Sequence, residues 1–139
     1  MRVLFVSGVT PISANPAASE ALYRGSLRLP LVGETGGYLS TEQLDGVKHF
    51  GVWPIEMAAQ SCFGQANWPQ DLPIPQATIE FELENPAAVA AGVEELTAQG
   101  YTFLHGARLE PWGQTVARLL SPEGLLIGLS YAPWMHANQ

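Results

Sequence analysis

The last third of the chain constrains the fold most. Residues 100–134 read GYTFLHGARLEPWGQTVARLLSPEGLLIGLSYAPW. Three short extended runs, 101–107, 114–120 and 125–131, are separated by Glu110-Pro111-Trp112-Gly113 and Ser121-Pro122-Glu123-Gly124. In each break Pro presets φ for a turn and Gly supplies positive φ. Just upstream, residues 77–83 alternate, with Ile79, Phe81 and Leu83 on one face and Thr78, Glu80 and Glu82 on the other. Residues 86–99 then present Val89, Val93 and Leu96 at helical spacing, with Gly100 placed to end the helix. The unit is a strand, a helix and three more strands.

The first half repeats this order. Residues 3–12 suit a strand, and Asn15-Pro16-Ala17-Ala18 after it returns as Asn85-Pro86-Ala87-Ala88 at the same strand-to-helix junction. Asn caps free amides at a helix start and Pro fits the first helical position, which predicts a helix to about residue 27. Gly33, Gly36 and Gly37 mark a flexible connection. A hairpin is expected over 38–44 and 47–53 with Asp45-Gly46 as its turn, then a short helix over 55–63. Residues 67–75 hold Trp68 and three prolines and read as a crossing linker. The expected class is α+β: two βαβββ modules, 1–66 and 76–139, forming one single-domain body with a curved mixed sheet.

Composition excludes several roles. Six Lys and Arg against thirteen Asp and Glu give a net charge of −7, and the six are scattered, so nucleic acid is not an expected partner. No apolar run has the length of a membrane span, and the start of the chain reads as a strand rather than a signal peptide. The single cysteine, Cys62, excludes an internal disulfide, reads as a small core hydrophobe and fits a cytoplasmic protein. There is no phosphate loop, dinucleotide fingerprint or nucleophile elbow.

Two such modules, closing on Pro-Trp-Gly and then Ser-Pro-Glu-Gly-Leu-Leu-Ile, resemble the vicinal oxygen chelate superfamily of glyoxalases, bleomycin-resistance proteins and extradiol dioxygenases. The resemblance implies sheets curved around a cleft, a homodimer, and in the superfamily's enzymes a divalent metal. Matched position by position, it puts Gly8, Thr78 and Gly128 at three of the metal-ligand sites, with His49 or Glu56 near the fourth. Glycine offers no side chain and a lone threonine hydroxyl is a poor ligand for a transition metal. No cofactor is therefore expected. The alternative is a metal-dependent lyase, isomerase or dioxygenase with relocated ligands drawn from His49, Glu56, Glu80 and Glu82.

The resemblance also makes the face opposite the helix the cleft wall, which would turn both Glu80 and Glu82 inward. Residues 53, 68, 112 and 134 are tryptophan, many for this length. Trp53 and Trp112 are candidates to line a ligand site, alongside His49 and Arg118, though Arg118 on a strand commonly pairs with a structural carboxylate and Trp112 commonly packs its turn. His136, near the C-terminus, is expected to be mobile. Together these residues predict a protein that binds an aromatic or cationic small molecule without a catalytic metal.

Overall fold

The computed structural model describes residues 1–136. Strand β1 (Phe5–Ser13) leads into helix α1 (Pro16–Glu20), which widens into a π-helical turn, Ala21–Ser26. Strands β2 (Leu39–Thr41) and β3 (Phe50–Pro54) and helix α2 (Ile55–Phe63) follow. The second half runs β4 (Ala77–Glu82), α3 (Pro86–Ala98), β5 (Phe103–Leu109), β6 (Thr115–Leu120) and β7 (Leu126–Tyr131), and ends in a 3₁₀ turn, Pro133–Met135.

All seven strands form one mixed sheet in the order β2-β3-β1-β4-β7-β6-β5. β1 and β4 are antiparallel at its centre, with Gly8 opposite Glu80, Val9 opposite Ile79 and Thr10 opposite Thr78. Val9 and Ile79 are separated in sequence by the same offset as the capping residues Asn15 and Asn85, so the two halves meet about a pseudo-two-fold through that pair. Each outer set then repeats: β3 runs parallel to β1 and β7 parallel to β4.

Asn15 accepts from the Ala18 amide at 3.2 Å and Asn85 from the Ala88 amide at 2.8 Å, so both repeated motifs cap helices as their residues dictate. α3 packs Val89, with Val93 and Leu96 partly buried beside it, on Leu83, Ala117 and Leu129. α2 covers the opposite face, where Ala58, Ala59 and Cys62 join Trp53, Trp68 and Leu126 in a second core.

The first half departs from the expected pattern in two ways. Its helix is α-helical only as far as Glu20; beyond that the Leu27 and Leu29 amides reach back to the Leu22 and Tyr23 carbonyls, and Tyr23 packs 5.7 Å from Phe50. The strand corresponding to β5 shrinks to a single bridge, Val32 to Ser40. Arg28 and Gly33 at positive φ (57° and 136°) break any extended run there, and Pro30 between them has no amide to donate. The linker over residues 67–75 is anchored to the core: Trp68 is buried, its Nε1 donates to the Pro73 carbonyl at 2.9 Å, and Phe63 packs against its ring.

Among the described residues no helix is long and apolar enough to cross a membrane.

Candidate functional site

The sheet face that carries α2 encloses a cavity of about 470 Å³. Its walls are apolar and aromatic: Tyr38 and Trp53 from the first half, Met57 from α2, Trp112 from the β5–β6 turn, and Trp134 and Met135 from the C-terminal 3₁₀ turn. Its floor is polar and comes from the central strands, with Thr10, Thr78, Glu80, Gln114 and Arg118. Period-two alternation puts these on one face, since residues 78 and 80 of β4, and 114, 116 and 118 around β6, point the same way.

Gly8 and Gly128 flank Glu80 in the neighbouring strands, opposite it in register. A Cβ at position 8 would stand 3.5 Å from Glu80 Oε1, and one at position 128 only 3.1 Å from Glu80 Cγ. The carboxylate thus occupies the space that two absent side chains leave open. It accepts from Gln114 Nε2 at 3.0 Å, a neutral donor that also reaches Ser130 Oγ at 2.8 Å. Trp112 Nε1 in turn donates to Gln114 Oε1, which fixes which way the amide points and ties the turn to the floor.

Tyr38 and His49 stack with their planes 8° apart and share a hydrogen bond between Tyr38 Oη and His49 Nε2. Gly51 makes this possible, because a Cβ there would collide with the Tyr38 hydroxyl. Burial, then the charge of Glu80, push the Tyr38 phenol well above its ordinary range, so it is a neutral hydroxyl.

Arg118 forms the far end of the floor. Its NH1 donates to Ser61 Oγ (2.9 Å), His105 Nε2 (3.1 Å) and Glu110 Oε1 (3.2 Å), and its guanidinium lies 5.2 Å from the centre of the Trp53 ring. Because NH1 is a donor, His105 Nε2 must accept, which leaves Nδ1–H to donate to the Gly106 carbonyl. Burial lowers the His105 pKa to about 4; the Gly106 carbonyl opposes this, and the neighbouring Arg118 and Arg108 add to it. A second hollow, of about 390 Å³, lies beyond the shared wall of Trp53, Met57 and Trp112 and is lined by Ser61, Arg108 and Glu110.

Five of the six candidate residues, His49, Trp53, Glu80, Trp112 and Arg118, line the one cavity. Glu82 does not. It shares the face of Glu80 but is fully buried beneath the C-terminal turn, where it accepts from the Ala132 amide and lies 2.7 Å from His136 Nε2. The expectation that both carboxylates open into the cleft is corrected accordingly: the chain folds back over the end of β4 and covers the second one. The same contact corrects His136, which is held by Glu82 and packed against Tyr131 and Phe5 rather than mobile. Sequence reasoning did not single out Tyr38, Met57, Met135 or Gln114. Trp134 stood out only as one of four tryptophans, and no local pattern marks a residue that a turn later folds over a cleft.

The residues present do not fit a divalent metal. Glu80 stands alone among acids at the floor, His49 Nε2 is engaged by Tyr38, and both ends of the Gln114 amide are committed. Glu56 is exposed on α2 and Glu82 is sealed away, so the relocated set His49, Glu56, Glu80 and Glu82 does not converge. Among the described residues no group of three or more His, Cys, Asp or Glu is placed to hold a metal ion.

No protein-family model matches the sequence, and no curated protein matches it. Solved structures do. A glyoxalase/bleomycin resistance protein/dioxygenase superfamily member from Vibrio splendidus is 12% identical with a TM-score of 0.58, over 93% of this chain and 99% of that one. An Mn(II)-bound glyoxalase from Novosphingobium aromaticivorans is 19% identical with a TM-score of 0.60; the match covers 94% of this chain but only 39% of the glyoxalase. An NAD-dependent benzaldehyde dehydrogenase from Legionella pneumophila is 12% identical with a TM-score of 0.59, over 89% and 96% of the two chains. Names so different on one architecture leave the reaction open. What the likeness carries is the fold, and by its fold this chain is α+β and glyoxalase-like.

Proposed function

We propose that this chain is a small-molecule-binding protein that holds a cationic aromatic ligand without a catalytic metal. The observation that carries the reading is Glu80, a carboxylate bonded to a neutral amide at the floor of a cavity walled by Tyr38, Trp53, Trp112 and Trp134. A volume of about 470 Å³ suits a small organic molecule, and a mostly apolar wall with few polar groups is how such sites are built. Aromatic faces attract a cation by up to about 2 kcal/mol each when water is excluded.

Calorimetric titration with tryptamine, and with neutral 3-methylindole as its control, tests the reading. Tryptamine should bind, Glu80→Gln should weaken it at least about tenfold while leaving 3-methylindole unchanged, and added salt should narrow the difference. Absence of tryptamine binding overturns the proposal. So does stoichiometric zinc, nickel, manganese or iron that survives dialysis and is lost in His49→Ala, which would put a metal-dependent enzyme in its place.

A further inference from the structure

Glu80 and Tyr38 turn acceptors toward the cavity. Gln114 bonds only the Oε1 atom of Glu80; among the described residues Oε2 has no partner, and it is not one of the unpartnered atoms shut off from solvent. One carboxylate oxygen therefore faces the open space with its lone pairs free.

Tyr38 offers the second acceptor. His49 stands between it and Glu42: Nε2 shares the hydrogen bond with Tyr38 Oη, and Nδ1 lies 3.5 Å from Glu42 Oε2. A neutral imidazole carries one proton. On Nε2 it would leave the Nδ1 lone pair against the Glu42 carboxylate; on Nδ1 it meets that charge favourably. Nδ1 is thus the protonated nitrogen, Nε2 accepts, and Tyr38 commits its only proton to His49. What the Tyr38 oxygen keeps for the cavity is lone pairs.

Gly8 brings the two acceptors to one place. A Cβ there would lie 3.5 Å from Glu80 Oε1 and 3.9 Å from His49 Cβ, so the glutamate and the histidine that holds Tyr38 approach each other across β1. Donors are scarce at this end. Gln114 Nε2 is taken by Glu80 and Ser130, and in register Arg118 stands two strands from Glu80, beyond Gly128. The Thr10 hydroxyl can donate or accept and sets no preference.

Resting on the reading of the cavity as a cationic-aromatic site, we infer that its cation is a protonated primary or secondary amine, not a tertiary or quaternary one. One N–H donates to Glu80 Oε2 and a second to Tyr38 Oη, while the ring lies among Trp53, Trp112 and Trp134. A trimethylammonium group has the same charge and the same attraction to aromatic faces but no N–H, so it leaves both acceptors unmatched. Tyr38 is then a specificity-determining residue, and its bond to His49 keeps it an acceptor.

Calorimetric titrations of the full chain with tryptamine and N,N,N-trimethyltryptammonium test the inference. Tryptamine should bind at least about tenfold tighter, the size expected for hydrogen bonds from a charged donor. N,N-Dimethyltryptamine, with a single N–H when protonated, should fall between the two. Tyr38→Phe keeps the ring that stacks on His49 and should narrow the tryptamine-to-trimethyl ratio about threefold or more, the size of one lost hydrogen bond. A merely structural role for Tyr38 would weaken both ligands alike and leave the ratio where it was. If the trimethyl compound binds as tightly as tryptamine, or if Tyr38→Phe leaves the ratio unchanged, the inference is wrong while the cationic-aromatic reading stands. If tryptamine does not bind, both fall together.

Discussion

Glu80 owes its place in the cavity to Gly128, whose missing side chain leaves only 3.1 Å between a would-be Cβ and Glu80 Cγ. That spacing is tighter than an ordinary van der Waals contact, so a methyl group at position 128 must displace the glutamate side chain. The neighbour that yields is flexible rather than backbone, which keeps the cost to the fold small. Gly128→Ala should therefore fold, melt within a few degrees of the parent and bind tryptamine several-fold more weakly. Unchanged tryptamine affinity would show that Glu80 does not set the cation site.

Asn85 and Val89 carry α3. Asn85→Ala removes the acceptor for the Ala88 amide and should lower stability by about 1 kcal/mol in denaturant unfolding. Val89, fully buried against Leu83, Ala117 and Leu129, should cost about 2 kcal/mol when cut to Ala, through lost burial and the cavity left behind. A Val89→Asp variant that stays soluble and melts cooperatively would contradict this packing.

Much of the fold was legible because local signals agreed with the global answer. The alternation of Ile79, Phe81 and Leu83, the two capping asparagines and the Pro/Gly breaks at 111–113 and 122–124 each point to the element that forms. The first half was less legible. Nothing in its composition separates a short strand from the single Val32–Ser40 bridge, because the difference lies in Arg28 adopting positive φ. At the site, period two put Glu80 and Glu82 on one face but could not tell that residues 132–136 return to cover the second. Tyr38 was invisible for a similar reason: its role depends on Gly51 across the β2–β3 pair and on His49, neither of which sequence spacing announces.

Self-association is expected from the sheet's open ends. β5 is unpaired on its outer side among the described residues, where Leu109 is 72% exposed, and β2 is covered on its outer side only by the single bridge from Val32 to Ser40. Exposed Leu22, Leu27 and Val32 add apolar surface near the other edge. Edges of this kind are commonly covered by another chain. Light scattering should give the mass of a homodimer at micromolar concentration; a monomer at every concentration up to the millimolar range would oppose this.

The stability of the fold depends on pH through His105. Its Nε2 accepts from Arg118 NH1, a bond that a protonated ring cannot make, and burial is the main cause that brings its pKa down from 6.5 to about 4. In the unfolded chain the ring takes up a proton as pH falls below about 6.5, whereas in the folded chain it stays neutral until about 4. Between those values the unfolded state binds more protons, so this residue lowers stability progressively as pH drops from 6.5 to 4 and adds no further slope outside that window. Acidic groups contribute their own slope, so the measurement is a difference: denaturant midpoints of the parent and of His105→Gln, which keeps a neutral acceptor for Arg118, compared from about pH 3 to about pH 7. The parent should lose stability on acidification faster than the variant, with the gap opening below pH 6.5 and constant below pH 4. Parallel profiles would mean that His105 titrates alike in both states and that its bond from Arg118 does not hold it neutral.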